Sequence, residues 1–511
     1  MNISINTRKK GILLSYIHFI LNVVLSILVS AFIVRRVGKT DYGVYQSITA
    51  FIAYLVLLEF GTSALMTRNI SLLKRDGTDE QEVNKNISTI WSLTIVLSVL
   101  ILLFAFIFYL FIGRIYSNSF TESQIALGKE IFIFAAINLL FAFLTSTLNG
   151  LILAYKHYTF SVILTLVKLL IRSGLIISLL LINSNVLLVA IIDCCLGLLM
   201  LLITLFFCLF KLKSKLTFRY FDKAVFTSCL PLAFAMLLQT IVNTANGVVD
   251  KFLISLMMTP EDVAVYSISM TIFNMYSSVA TLPITMFMPA IADEIKNGID
   301  KENLTKHLVP ACRLNVIVTG LIGLGFILVG RQFITIVYGV EFSEAWIYAV
   351  LIIVPYFFNM TNAVIVNVLD IYNKRHIRSA ILLITTAINV GITIFGIKMF
   401  GMIGAALGTA ISLALQTIIL NIYYNNSIKI KIVFLFKESY KGIVPSLIFA
   451  TFVTFPILFK IHNHLLSFMV GGVVFAFAFA IMFYSFGANI NEKNKIRTFF
   501  SKLCFLKRDS H

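Results

Sequence analysis

Residues 186–215 read VLLVAIIDCCLGLLMLLITLFFCLFKLKSK. From Val186 to Phe210 a single charge, Asp193, interrupts an apolar run, and Lys211, Lys213 and Lys215 follow at once. A helix rises 1.5 Å per residue, so about 20 apolar residues cross a hydrocarbon core about 30 Å thick. A basic flank behind such a run holds that end of the helix on the cytoplasmic side. The pattern recurs throughout the 511 residues, which are 59% hydrophobic and 13% charged, with 46 Phe and a mean hydropathy of +0.95. Soluble domains carry about a quarter charged residues, so a soluble multidomain enzyme is excluded. Disordered chains lack this apolar and aromatic content. The reading is an all-α integral membrane protein.

Outward from that stretch, fourteen apolar runs predict spans at 11–34, 44–66, 88–112, 131–154, 159–182, 186–210, 226–249, 264–290, 312–330, 345–369, 379–400, 401–424, 441–459 and 465–486. The first run is long for a signal segment and lacks a small-residue cleavage site, so it reads as a helix. With a cytoplasmic N-terminus, thirty Lys and Arg fall on the cytoplasmic face and nine on the other, while Lys168 and Arg172 lie within a span. This bias places both termini in the cytoplasm. It also accounts for the net charge of +18 without a nucleic-acid partner. The six cysteines have no zinc or disulfide spacing. The tail from Asn491 interleaves basic and apolar residues, as a helix on an anionic leaflet would; a solvated basic tail is the competing reading.

The chain repeats itself. A shift of 221 residues places Asn22 on Asn243, Asp41 on Asp262, Val44 on Val265, Tyr45 on Tyr266, and His18 on the polar Gln239. Asn149 and Lys156 recur as Asn367 and Lys374 at a shift of 218. The expected organisation is two pseudo-symmetric six-helix lobes, 1–210 and 226–424. A basic linker, 211–225, joins them, and a helix pair, 425–490, and the tail 491–511 follow. Six spans per half relate the copies about the membrane normal.

Polar residues then gain direction. Ser15, His18, Asn22 and Ser26 share one face of span one, and Gln239, Asn243, Asn246 and Asp250 share one face of span seven. Such stripes face a bundle interior or a wet cavity; interhelical hydrogen bonding is the alternative. Span five carries Ser161, Thr165, Lys168 and Arg172 on one face. Lys168 lies about 15 Å along the helix from Tyr158, where a cation costs ~2.5–3.5 kcal/mol. Two cations with no carboxylate on that face suit an anionic group such as phosphate. Arg35, Arg36, Lys251 and Arg313 sit at span ends and join the substrate-binding candidates, with interfacial anchoring as the other reading. Glu59, Asp193 and Asp250 are intramembrane carboxylates that suit proton or sodium coupling, or neutralisation of a nearby cation. The pair His462 and His464 reads as solvated rather than metal-binding. No nucleotide-binding or hydrolase motif is present, so no enzyme activity and no cofactor are expected.

Arg35-Arg36-Val37-Gly38-Lys39-Thr40-Asp41-Tyr42-Gly43 resembles the R-x-L-G-x-x-x-[YF]-G signature of polysaccharide-export flippases, the O-antigen-type members of the multidrug/oligosaccharidyl-lipid/polysaccharide superfamily. Glu59-Phe60-Gly61, and Asp250-Lys251 followed by Val265-Tyr266, resemble later parts of the same pattern, with Val37 where Leu is usual and Ala264 where Gly is frequent. The resemblance implies alternating access between two lobes of a MATE-like fold. It implies translocation of an undecaprenyl-diphosphate-linked oligosaccharide across a bacterial cytoplasmic membrane. The implied partners are that lipid, the bilayer, and polymerase and chain-length proteins of the pathway. Two alternatives stand beside it: a sister transporter (a drug exporter or peptidoglycan-precursor flippase) and a membrane glycosyltransferase. A drug exporter would favour acidic intramembrane residues and a glycosyltransferase a large outer loop.

The topology makes a direct prediction. In a cysteine-free background, Asn118→Cys and His462→Cys should react with a membrane-impermeant maleimide in intact cells, and Lys215→Cys should react only after permeabilisation. The reverse pattern would overturn the orientation.

Overall fold

The computed structural model describes residues 5–59, 61–217, 221–372, 374–494 and 497–498, and every regular element among them is a helix. The first nine helices are α1 (Ile5–Val37), α2 (Lys39–Leu55), α3 (Thr62–Arg75), α4 (Glu80–Ile115), α5 (Glu122–Ala154), α6 (Tyr158–Ile182), α7 (Leu187–Phe206), α8 (Lys223–Met257) and α9 (Pro260–Ala280). The rest are α10 (Leu282–Lys296), α11 (Lys301–Val337), α12 (Ala345–Thr361), α13 (Ala363–Ile371), α14 (Arg375–Phe400), α15 (Met402–Tyr423), α16 (Ile432–Tyr440), α17 (Ile443–Lys460) and α18 (His464–Met482). Thirteen stretches of the described residues are long and apolar enough to cross a membrane. Helix α8, whose side chains are described only in part, occupies the remaining predicted span. The protein is a multi-pass integral membrane protein.

Three predicted single spans are each two helices. Span two passes through a tight turn at Val56–Glu59 and restarts as α3 after Gly61. Span eight breaks at Thr281, with Pro283 in the first turn of α10, where its missing N–H leaves no bond unmade. Span ten breaks at Asn362, between α12 and α13. Hydropathy averaged over a span does not register so short an interruption. Nor does it register α16, a nine-residue helix that buries Ile432, Leu435 and Ser439. Burial pushes the Tyr440 phenol up, so its hydroxyl stays protonated and hydrogen-bonds with Thr361 at 2.9 Å. The join between spans eleven and twelve falls at Gly401, whose φ of +60° reverses the chain in one residue.

The chain forms two compact units, Met1–Thr271 with Thr393–Ala405, and Ile272–Ile392 with Ala406–His511. In the first, one core gathers Val44, Ile48, Ile101, Phe108, Ile131 and Phe132, and a second gathers Met66, Ile70, Ile87, Leu148, Leu151 and Cys208. In the second unit, Leu304, Leu308, Val364, Val368, Leu420 and Tyr424 form one core, and Val316, Leu447, Phe475 and Phe479 another. Helix α4 shows the logic of a lipid solvent. Val96, Val99, Leu103, Phe106 and Leu110 form an exposed stripe, while Thr94, Ser98, Ile101, Ala105 and Phe108 are buried. Interior hydroxyls pair: Thr62 with Thr147 at 2.8 Å, and Thr94 donates to Thr147 at 3.3 Å. Each such bond averages about 0.6 kcal/mol, so close packing supplies most of the cohesion.

The stretch 38–43 shows why its glycines are needed. Gly38, with φ +91°, turns the chain from α1 into α2. A Cβ on Gly43 would overlap the Pro260 carbonyl. Thr40 donates to the Glu261 carboxylate beside it. Thus the start of α2 packs on the start of α9, its repeat-related counterpart.

The repeat also appears in backbone geometry. Ser214 N–H bonds the Cys208 carbonyl at 3.1 Å, and Ile430 N–H bonds the Tyr424 carbonyl at 3.2 Å, 216 positions later. Between the bonded residues, Lys213 and Lys429 both take positive φ, 50° and 66°. Ser88 then bonds the Lys215 carbonyl, and Thr305 accepts from the Lys431 N–H. The underlying Leu212-Lys213-Ser214-Lys215-Leu216 and Ile428-Lys429-Ile430-Lys431-Ile432 are a legible repeat at a shift that differs from 221.

Because Gly43 faces backbone that cannot rotate away, Gly43→Ala should lower stability by about 1–3 kcal/mol. Gly174→Ala, where a Cβ meets nothing within 4 Å, should be neutral or stabilising by up to about 1 kcal/mol. Thermal unfolding of the two variants in detergent compares them.

Candidate functional site

The polar groups of the first unit converge on α2, α6, α7 and α8. Arg172 on α6 meets Asp193 on α7 in a two-bond ion pair, Nε to Oδ1 at 2.5 Å and Nη2 to Oδ2 at 2.9 Å. The Tyr45 hydroxyl of α2 donates to Asp193 Oδ2 at 3.5 Å. The side chains of Arg172 and Asp193 are 32% and 18% exposed. One turn before Arg172, Lys168 is half-buried and makes no hydrogen bond or ion pair with any described residue. A carboxylate does attend this face, contributed by the neighbouring helix. Hence a substrate-binding candidate and an ion-coupling candidate are partners, and Lys168 is the cation left available.

Asp250 and Lys251, adjacent in sequence, point to different partners. Asp250, 4% exposed, accepts from the hydroxyls of Tyr266 and Thr393, both at 3.1 Å. Lys251 donates to Gln46 Oε1 at 3.0 Å, and Gln46 donates to the Tyr42 hydroxyl at 2.7 Å. Neutralisation of Asp250 by Lys251 is therefore not what the structure uses. Tyr45 and Tyr266, matched by the 221-residue shift, each donate to an intramembrane aspartate. Their pairing was visible in the sequence, but their acceptors were not. Glu59, at the break in span two, accepts from Ser146 at 2.8 Å.

The remaining candidates are less centrally placed. His18 is half-buried and Asn22 exposed on α1, which packs along α6. Arg35 and Arg36 are exposed at the end of α1, with the Arg36 guanidinium 5.7 Å from the centre of the Phe32 ring. The side chains of Gln239 and Asn243 lie outside the described residues.

Arg313 corrects the sequence-based expectation. It is 2% exposed in the second unit and spends all five guanidinium donors on protein. Nε and Nη2 bond Glu492, Nη1 bonds the Glu438 and Lys441 carbonyls, and Nη2 also bonds the Gly487 carbonyl. No donor remains for a substrate. Arg313 ties α11 to the end of α16 and to the segment that follows α18.

Residues 8–295 match the model of a family described as polysaccharide biosynthesis protein. No curated protein matches the chain. Among solved structures, the fold is similar to "Lipid II flippase MurJ, inward closed conformation", with 15% identity over 92% of this chain and 97% of that one and a TM-score of 0.67. It is also similar to the MATE multidrug transporter DinF-BH, with 15% identity over 83% and 96% of the two chains and a TM-score of 0.57. A further similarity is to an inward-facing multidrug resistance MATE family transporter of the MOP superfamily, with 14% identity over 82% and 96% and a TM-score of 0.56. At these identities the likeness is one of fold.

Arg172→Gln and Asp193→Asn should each destabilise by stranding a partly buried partner charge. The double variant should recover part of the loss, giving a coupling energy of about 1–3 kcal/mol in a thermal double-mutant cycle. Additive losses would show that the pair contributes no coupling.

Proposed function

Because the chain belongs to the polysaccharide biosynthesis protein family, we propose that it is a lipid-linked oligosaccharide flippase. It moves an undecaprenyl-diphosphate-linked repeat unit of O-antigen, capsule or exopolysaccharide from the cytoplasmic to the outer leaflet of a bacterial inner membrane. Both termini are cytoplasmic in this reading. The observation that carries it is Lys168: a cation about 15 Å into a spanning helix, half-buried, with no hydrogen bond or ion pair to any described residue. An unpaired intramembrane cation marks a pathway for an anion, and a diphosphate is a strong anionic partner for an ammonium.

A diphosphate and its sugars cannot cross hydrocarbon unaided, so a polar path opens to each side in turn. The diphosphate binds Lys168 and competes with Asp193 for the neighbouring Arg172, while the polyprenyl tail stays among the lipids. His18, Asn22, Arg35 and Arg36 line the approach. Asp193 already has a counter-charge, so energy coupling falls to Glu59 and Asp250, through a proton or sodium ion. No covalent bond is made or broken. Polymerase and chain-length proteins would take the product.

In proteoliposomes, the protein should transfer a labelled polyprenyl-diphosphate oligosaccharide between leaflets and leave a cationic dye in place. Lys168→Gln should slow transfer at least tenfold with unchanged thermal stability, and Lys168→Arg should keep most of the rate. Dye export without sugar transfer would refute the flippase reading in favour of a drug exporter.

A further inference from the structure

Arg68 on α3 is a cation at membrane depth that is absent from the sequence candidates. Helix α3 is the second half of the broken span two; it restarts after Gly61 and ends at Lys74 and Arg75. One side of it is fully engaged in the first unit. Met66 and Ile70 enter a core with Trp91, Leu148 and Leu151. Thr62 pairs with Thr147, and Thr67 donates to the Gly150 carbonyl at 2.9 Å. The Lys74 ammonium lies 3.5 Å from the centre of the Tyr155 ring.

At about 3.6 residues per turn, Ala64, Arg68, Ser71 and Arg75 fall together on the opposite side. The exposed residues of α3 are Arg68, Leu72, Lys74 and Arg75, and only one of these is apolar. A lipid-facing surface in this protein is built otherwise: the exposed stripe of α4 is Val96, Val99, Leu103, Phe106 and Leu110. Hydrocarbon gives a guanidinium or a hydroxyl no partner, so the open face of α3 borders water.

Arg68 makes no hydrogen bond, ion pair or ring contact with any described residue. Arg75, by contrast, bonds Asp76 at 3.1 Å. Helix α8 touches α3 and has no Asp or Glu between Asp222 and Asp250. In the orientation set by the basic loops, Arg68 lies six residues, or about 9 Å, inside the cytoplasmic end of its helix. Lys168 lies about 15 Å from the same face on α6, and Arg172 about 21 Å. Both α3 and α6 pack on α5. Cations therefore stand at successive depths, with Arg68 the shallowest.

A guanidinium offers a planar fork of donors that takes two phosphate oxygens at once. Two sources carry such oxygens, the diphosphate of a polyprenyl carrier and the headgroup of an ordinary phospholipid. A phospholipid holds its phosphate at the edge of a lipid-facing surface, whereas Arg68 lies inward on a wet one, which favours the diphosphate. We infer that Arg68 is the cytoplasmic receiving site for the diphosphate of a polyprenyl-linked molecule, which it engages before Lys168 does. That the molecule then crosses the membrane rests on the flippase reading; the wet face and the binding at Arg68 do not.

Two measurements on the full chain test this. In a cysteine-free background, Arg68→Cys and Ser71→Cys should react with a charged, impermeant thiosulfonate in inside-out vesicles at least tenfold faster than Phe449→Cys. Phe449 is an exposed residue six positions into α17, at matching depth. In right-side-out vesicles neither should react. In detergent, calorimetric titration should show farnesyl diphosphate binding at least tenfold more tightly than farnesol or dihexanoyl phosphatidylglycerol. Arg68→Gln should weaken diphosphate binding at least tenfold and Arg68→Lys should recover part of it, each at an unchanged melting midpoint. Labelling no faster than at Phe449→Cys, phosphatidylglycerol binding as well as the diphosphate, or an Arg68→Gln chain that binds like the parent would overturn the assignment. Diphosphate binding that depends on Lys168 but not on Arg68 would remove Arg68 and leave the flippase reading intact. Binding that depends on Arg68 in a chain that transfers no lipid-linked sugar in proteoliposomes would do the reverse.

Discussion

Hydrocarbon offers no hydrogen bonds, and this protein's architecture follows from that. Every backbone amide at membrane depth must be satisfied within the chain, so the described residues fold as helices. The same constraint turns side chains inside out relative to a soluble domain: the outer stripe of α4 is Val, Leu and Phe, and hydroxyls such as those of Thr62, Thr94 and Thr147 pair inside. With little hydrophobic force between helices in lipid, cohesion depends on backbones coming close. Gly43 against Pro260, Gly150 against Ser63, and Gly396 against Gly404 are contacts that no larger residue would permit.

Two arginines illustrate how one residue type serves opposite ends. Arg313 is enclosed by three carbonyls and a carboxylate, which fill every donor, and its role is to hold helix ends together. Arg172 has one carboxylate partner and remains about one-third exposed. Such a guanidinium can exchange its partner, because a competing anion can reach it. Beside it, Lys168 has no hydrogen-bond or ion-pair partner among the described residues. The gradation from sealed to paired to open charge grades how far each cation is available to an incoming anion, which the mere presence of an intramembrane cation does not.

The broken helices have a comparable meaning. An interruption at membrane depth frees backbone groups and turns side chains aside, and it persists only where protein or a polar cavity receives them. Glu59 and Ser146 meet beside the break in span two, and a cavity lined by Asn359, Asn362 and Gln416 opens at the breaks in spans eight and ten. Part of the polar chemistry in this fold therefore gathers where helical continuity fails, while Arg172, Lys168 and Asp193 lie within unbroken helices.

Much of the architecture was legible in the sequence. Span positions follow from apolar runs because transfer into lipid is a local, nearly additive property of side chains. The repeat was visible in Tyr45 and Tyr266, and the join at Gly401 in a glycine between two apolar runs. Lys168 and Arg172 announced themselves as charges where none is cheap. Pairing was not legible, because it depends on which helices become neighbours. Asp193 lies 21 positions from Arg172 on another helix, and Thr393 reaches Asp250 across 143 positions. Arg313 read as a basic residue at a span end, and only tertiary structure closed it in a ring of carbonyls. Composition and periodicity determine where a residue sits along a helix. Packing decides what faces it, since contacts between distant segments depend on the whole fold.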